Sequence, residues 1–297
     1  MTTGPMERDI FDNLKRTPKY GSLCDETLLR MASWAAARHA SPREALKAAK
    51  RKLHQVYGAY CDQCDLRSVA EVVQALPHGA PEETIRSACR DLLRHHASTR
   101  EREAILDQVF PAIFDEIGPV TSILDLACGL GPFMLPWMAP SDTVCRGHSL
   151  SNGDKLLTNC AVEYHACDID TRLVAILNEF LARLGRPPTA QCRDLLVSVP
   201  TQVTVCRGLT NCADVALLLK ALPCLEQQEK GAGLRLLPQI PARYLVASFP
   251  AQSLGGRAKG MVQHYETYML GLAAALHFSV RSFPFPSETF YVLARPI

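Results

Sequence analysis

The sequence predicts an α/β chain in which an all-helical front leads into an open, mostly parallel sheet. Three observations carry this. Helical periodicity fills the first hundred residues without a strand signal. From residue 122 short apolar runs alternate with helical patterns. The first of those runs empties into the glycine-bearing turn Asp125-Leu126-Ala127-Cys128-Gly129-Leu130-Gly131.

In the front half, Ser41-Pro42-Arg43-Glu44 reads as a helix start, with Ser as N-cap, Pro at the first helical position and Glu at the third closing a capping box. The helix runs to about residue 60. Leu46, Ala49, Leu53, Val56 and Tyr57 share one stripe, which leaves Lys47, Lys50, Arg51 and Lys52 for solvent or a partner. Further helices fit 25–39, 66–76, 81–95 and 99–117. In the second half, strands fit 122–126, 163–166, 189–193, 215–219 and 244–249, with helices most evident over 171–184 and 260–277. Alternation of this kind makes βαβ units and a parallel sheet. Two last runs, 279–283 and 289–294, suit a closing antiparallel pair. The expected division is a helical domain over 1–105 and an α/β domain over 106–297.

Composition excludes several classes. Of 297 residues, 47% are apolar and 21% charged, so the chain is neither disordered, collagenous nor coiled coil. No run reaches the roughly 18 apolar residues that span a bilayer, so no membrane is expected as a partner. The opening MTTGPMERDIFDNL lacks a basic stretch followed by an apolar one, and the 12 cysteines read as reduced thiols. A cytoplasmic location is the expectation. Residues 1–100 hold 16 Lys+Arg against 12 Asp+Glu, and the remainder 16 against 18. A basic front suits a polyanion such as RNA, although the bias also fits a solvated helical surface.

Two segments repeat. Thr143–Gly147 recurs as Thr204–Gly208, and Leu157–Ala161 as Leu209–Ala213. Each copy ends just before a proposed strand, at its N-terminal end, whereas ligands of open parallel sheets bind at the carboxyl ends. Both are therefore expected as loop insertions away from chemistry. Their four cysteines, Cys145, Cys160, Cys206 and Cys212, precede strands that need not be neighbours, so no metal site is expected.

The turn at 125–131 is the strongest chemical signal. Two glycines let backbone approach a ligand where a strand passes into a helix. A nicotinamide dinucleotide fingerprint wants a third glycine three residues on, and Met134 stands there. D-x-x-x-G-x-G is instead the usual first motif of S-adenosylmethionine methyltransferases; a tight turn without ligand is the bland alternative. Asp168, after the second strand, suits the two ribose hydroxyls of a nucleoside. Asp170 suits the N-cap of the next helix. Asp194 ends the third strand, where a side chain reaches an adenine amino group.

With these motifs in place, the chain resembles the aminoglycoside-resistance 16S rRNA methyltransferases that modify N7 of guanosine 1405. The resemblance lies in KLHQVYGAY (52–60), HASTRERE (96–103), DLACGLGPFMLPWM (125–138), HACDID (165–170), LLLKALPCLEQQ (217–228) and SFPAQSLGGRAKGM (248–261). It departs from the family in the longer segments around 143–161 and 204–213. The resemblance implies a class I Rossmann-like methyltransferase sheet, S-adenosylmethionine as cofactor, and the assembled 30S subunit rather than DNA or a membrane as partner. It implies that Arg102 pairs with the cofactor carboxylate, Gly129 approaches its methionine portion, Asp168 takes the ribose and Asp194 the adenine. Lys220, Glu226 and Arg257 match residues important for resistance. Arg257 and Lys259, beside two glycines, suit rRNA phosphates together with Lys47, Lys50, Arg51 and Lys52.

Rival readings are a methyltransferase for another base or a small molecule, and a non-catalytic cofactor-binding ribosome factor. The Cys61-Asp62-Gln63-Cys64 motif, without a second pair, points weakly to zinc or redox chemistry, and His95-His96 suit a helix end.

Overall fold

A computed structural model describes residues 4–58, 64–138, 162–200, 212–251 and 260–296. The front begins with α1 (Pro5–Arg16), α2 (Asp25–Ala36) and α3 (Pro42–Leu53), the last running into a π-helical turn, His54–Gly58. The sequence reading missed α1, although Pro5 at its first turn and Ile10 and Leu14 on one buried stripe announce it. Helix α3 starts where Ser41 and Pro42 place it. The capping box is a correction: the Ser41 side chain makes no cap bond, and Ala45 N–H donates to the Ser41 carbonyl at 2.9 Å.

Next come α4 (Leu66–Ala75), α5 (Glu82–Leu93), the short α6 (Ala97–Arg100), a 3-10 turn at Glu103–Ile105, and α7 (Leu106–Ile117). A single helix over 99–117 does not form. The chain breaks around Arg102, whose side chain turns inward, and Thr99 Oγ1 donates to the carbonyls of Leu93 (2.7 Å) and His96 (3.1 Å). His96 caps the new start, its ring nitrogen accepting from Ser98 N–H.

Seven strands form one sheet in the order β3-β2-β1-β4-β5-β7-β6: β1 (Ser122–Leu126), β2 (Glu163–Asp168), β3 (Ala190–Cys192), β4 (Ala213–Leu219), β5 (Ala242–Pro250), β6 (Ser279–Pro284) and β7 (Glu288–Ala294). The first five are parallel, and β7 is antiparallel to both β5 and β6, as the closing pair requires. Alternate residues feed alternate faces: Val215 and Leu217 of β4 enter one core, Ala216 and Leu218 the other. Among the described residues, helices α8 (Leu135–Met138), α9 (Thr171–Arg183), α10 (Leu222–Gln228) and α11 (Ala232–Leu236) fill out this half. Helix α12 (Met261–Leu276) precedes β6.

Helices α1–α3 build their own small core around Leu14, Leu28, Met31 and Leu53, whereas α4, α5 and α7 bury Val73, Leu92 and Phe110 in one core with β1, β2 and β4. The separate head is thus the first three helices. It seats on the loop after β2: Cys24 N–H donates to the Ile169 carbonyl (2.8 Å) and Thr171 N–H to the Ser22 carbonyl (2.8 Å).

The segments 143–161 and 204–211, including Cys145, Cys160 and Cys206, lie outside the described residues, as do Cys61, Arg257 and Lys259. The strands following the two repeats, β2 and β4, are separated in the sheet by β1.

Candidate active site

The strand order reverses beside β1: β2 lies on one side and β4 on the other, so the crevice at their carboxyl ends is the place an open sheet offers a ligand. A cleft of about 1120 Å³, measured out to its open mouth, occupies it. The β1 turn forms its floor in left-handed conformations, with φ 50° at Ala127 and 52° at Gly129. Such a φ strains any residue with a Cβ, and Ala127 holds it without glycine's freedom. At Gly129 a Cβ would meet nothing within 4 Å, so the backbone faces open space there.

Opposite, Asp168 ends β2. Its Oδ2 accepts from Gly129 N–H (2.9 Å) and its Oδ1 from Asp170 N–H (3.2 Å). Burial pushes this carboxyl above its ordinary range, and the two amides oppose the shift. Asp170 is the N-cap of α9, as its position in the sequence implies: its side chain accepts from Arg172 N–H. It also accepts from the Tyr57 hydroxyl, a short bond that ties the end of the head to this loop. Asp194 follows β3 and lines the same cleft, accepting from Thr27 Oγ1 (2.9 Å), Arg30 Nε (2.8 Å) and Leu196 N–H (2.9 Å). Ile169, Leu195 and Leu219 give the cleft apolar walls.

Lys220 follows β4 in a left-handed conformation of its own, φ 57°, and also lines the cleft. Its Nζ donates to Glu101 Oε2 (2.7 Å) and to the Ser98 carbonyl (3.2 Å). Gly129, Asp168, Asp194 and Lys220, dispersed over some ninety positions of sequence, therefore come together.

Two expected site residues stand apart. Arg102 is 2% exposed and lies behind the cleft surface, with both Nε and Nη2 committed to Glu288. Glu226 is spent on structure: its carboxylate accepts from Gly231 N–H (2.7 Å), Gly233 N–H (2.8 Å) and the Tyr268 hydroxyl (2.8 Å). An acid bonded to the first amides of α11 is a helix-start device, and this use was not visible in the sequence.

The cationic stripe of α3 is partly as expected. Lys47 and Arg51 are exposed, and Lys50 and Lys52 are half-buried. Lys52 Nζ turns back to the Gln227 carbonyl (2.9 Å) at the end of α10. Cys64 is half-buried, with its thiol pushed up to about 11 by burial, which makes a poor nucleophile or metal ligand. No cluster of metal-ligating side chains occurs among the described residues.

The cleft's chemistry suits a nucleoside carrying a charged tail. Two acidic groups stand where hydroxyls and an amino group can donate, apolar walls can cover a base, and an open backbone turn admits close approach. The site thus fits the S-adenosylmethionine expected from the sequence. Residues 16–292 match the family model of the ribosomal RNA methyltransferase FmrO. The chain is 31% identical over 304 residues, covering 99% of each chain, to a 16S rRNA (guanine(1405)-N(7))-methyltransferase of Micromonospora echinospora. To the enzyme of that name from Serratia marcescens it is 30% identical, covering 89% of this chain and 88% of the relative. Its fold superposes on the crystal structure of 16S rRNA methyltransferase RmtF in complex with S-adenosyl-L-homocysteine with a TM-score of 0.76, at 29% identity over 99% and 100% of the two chains. The fold of 16S rRNA methylase RmtB is likewise similar, at TM-score 0.74, 24% identity and coverage of 99% and 100%. The chain belongs to the FmrO family of ribosomal RNA methyltransferases.

Proposed function

We propose that this protein transfers the methyl group of S-adenosylmethionine to N7 of guanosine 1405 in 16S rRNA, acts on the assembled 30S subunit, and so confers resistance to aminoglycosides. The observation that carries the reading is the convergence of Gly129, Asp168, Asp194 and Lys220 on one cleft, in a chain similar from end to end to enzymes of that name.

When bound, S-adenosylmethionine supplies an electrophilic methyl on a sulfonium. In this reading Asp168 holds the ribose hydroxyls, Asp194 accepts from the adenine amino group, and the Gly129 backbone lies along the methionine portion. Arg102 remains the expected partner of the cofactor carboxylate, reached through rearrangement of its pair with Glu288. No side chain need act as a base, because guanine N7 offers an in-plane lone pair and no proton. The residues' work is then orientation and exclusion of water. Lys220 lines the cleft and in this reading meets the target base, and a paired, stacked base must be flipped to arrive there, at a cost of about a few kcal/mol. Phosphate contacts from Lys47, Lys50, Arg51, Arg257 and Lys259 offset that cost.

The test is primer extension on 30S rRNA incubated with protein and S-adenosylmethionine, after borohydride reduction and aniline cleavage. A break at guanosine 1405 is the expected result. Intact rRNA there, or a break elsewhere, overturns the reading.

A further inference from the structure

Asp194 belongs to the cleft wall, yet it is 2% exposed and held from another part of the molecule. One turn of α2, some 164 residues earlier, supplies the grip. Thr27 Oγ1 donates to Oδ2 at 2.9 Å, and Arg30 places both Nε and Nη2 at 2.8 Å from the same oxygen. Glu26 Oε2 accepts from the Asp194 N–H at 3.3 Å. The other oxygen, Oδ1, accepts among the described residues one hydrogen bond, from Leu196 N–H at 2.9 Å. A carboxylate offers about four acceptor sites, so Oδ2 is filled while Oδ1 keeps room for one more donor.

Arg30 is braced on its far side as well. Its Nη2 donates to Gln228 Oε1 at 2.8 Å, at the end of α10, the helix that follows Lys220. A planar guanidinium fixed at both edges fixes in turn the rotation of the carboxylate it holds.

We propose that Arg30 is a positioning residue. It turns Asp194 so that Oδ1 is presented to the cleft as an acceptor, and thereby makes the site select a 6-aminopurine over a 6-oxopurine. This rests on the assignment of Asp194 to adenine made above. An ionised carboxylate has no proton to give, so it accepts from an amino group and repels the lone pairs of a 6-oxo group. Arg30, itself at the cleft wall, keeps the acid aimed through the contacts it makes with Oδ2.

The test is calorimetric titration of the full chain with S-adenosylhomocysteine and with S-inosylhomocysteine, its 6-oxo counterpart. The unaltered protein is expected to favour the amino ligand by roughly tenfold or more. In Arg30→Gln that ratio falls towards one, and in Arg30→Lys, which keeps the charge but loses the fork, it falls part of the way. Affinity lost equally for both ligands, with the ratio kept, overturns the proposal, because that is what loosened packing alone produces. Should Arg30→Gln fail to fold, an undiminished ratio in Arg30→Lys overturns it in the same way. If the unaltered protein itself fails to distinguish the ligands, the assignment of Asp194 to adenine falls, and this proposal with it.

Discussion

Arg102 and Glu288 form a two-point ion pair in the interior, with Nε to Oε2 at 3.0 Å and Nη2 to Oε1 at 2.6 Å, although 186 positions separate them in the chain. The arginine is 2% exposed and the glutamate 0%. Glu288 opens β7 opposite Pro250 of β5, and Lys220 Nζ stands 3.6 Å from its Oε2, so two cations share one buried acid. Removing the acid alone strands a buried guanidinium, a loss on the order of 3–5 kcal/mol. Glu288→Gln is therefore expected to lower the urea midpoint sharply. The double variant Arg102→Met with Glu288→Leu should recover most of the loss. A single variant within about 1 kcal/mol of the parent would show that the pair is not what holds the two halves together.

Asp125 gives the protein a pH dependence that acts through folding. Burial pushes its carboxyl up to about 7, against the opposing hydrogen bond from the Tyr164 hydroxyl at 2.6 Å and the nearby charge of Arg102. In the unfolded chain the group titrates near its ordinary value of about 3.9. Below that pH both states are protonated and nothing is lost. As pH rises towards 7 the unfolded chain ionises while the folded one does not, so this group's contribution turns unfavourable. Above about 7 the penalty is constant, on the order of a few kcal/mol. Asp125→Asn, whose amide oxygen still accepts from Tyr164, should gain stability over the parent progressively from pH 4 to 7 and hold that gain above. Denaturation curves that stay parallel across this range would rule out the assignment.

The two glycines of the β1 turn should respond differently to the same substitution. A Cβ on Gly131 would lie 2.6 Å from Oδ2 of Asp125, a buried carboxyl bonded to the Tyr164 hydroxyl. Gly131→Ala is expected to cost about 1–3 kcal/mol by overpacking and to weaken S-adenosylhomocysteine binding through displacement of the turn. A Cβ on Gly129 meets nothing within 4 Å, but the residue sits at φ 52°. Gly129→Ala should therefore cost only about 1 kcal/mol of backbone strain, while the new methyl projects into the cleft. Thermal melts and calorimetry together separate the two. Equal stability losses would mean that the Asp125 contact is not limiting.

How far these features were legible follows from the range of the interactions behind them. The N-cap role of Asp170, the start of α3 at Pro42 and the closing strand pair depend on neighbours a few positions away, and the sequence displays them. The convergence of Gly129, Asp168 and Asp194 was legible because a parallel sheet brings strand ends to one edge whatever its loops do. The break at Arg102 was not, since it depends on a glutamate at the far end of the chain. Nor was the grip of Thr27 and Arg30 on Asp194: charges on an amphipathic helix look alike until the helix has a neighbour. Glu226 matched a family position, but its three bonds run to Gly231, Gly233 and Tyr268 instead of into the cleft.

The cationic stripe of α3 separates into docking and joint residues, and charge reversal should tell them apart. Lys47 and Arg51 are exposed on the face opposite the buried Ala45, Ala49 and Leu53. Lys52 differs, because its Nζ bonds the Gln227 carbonyl and stands 6.0 Å from the Trp34 ring, joining α3 to both α10 and α2. Lys47→Glu with Arg51→Glu is thus expected to weaken 30S binding by roughly tenfold or more and to flatten its salt dependence, while calorimetry finds S-adenosylhomocysteine affinity unchanged. Lys52→Glu places an anion against a carbonyl at the end of α10, so it should lower affinity for both the subunit and the cofactor. Filter binding at two salt concentrations, paired with the calorimetry, reads both effects. If the double variant loses cofactor affinity as well, the stripe is one structural unit and the division between docking and joint residues is wrong.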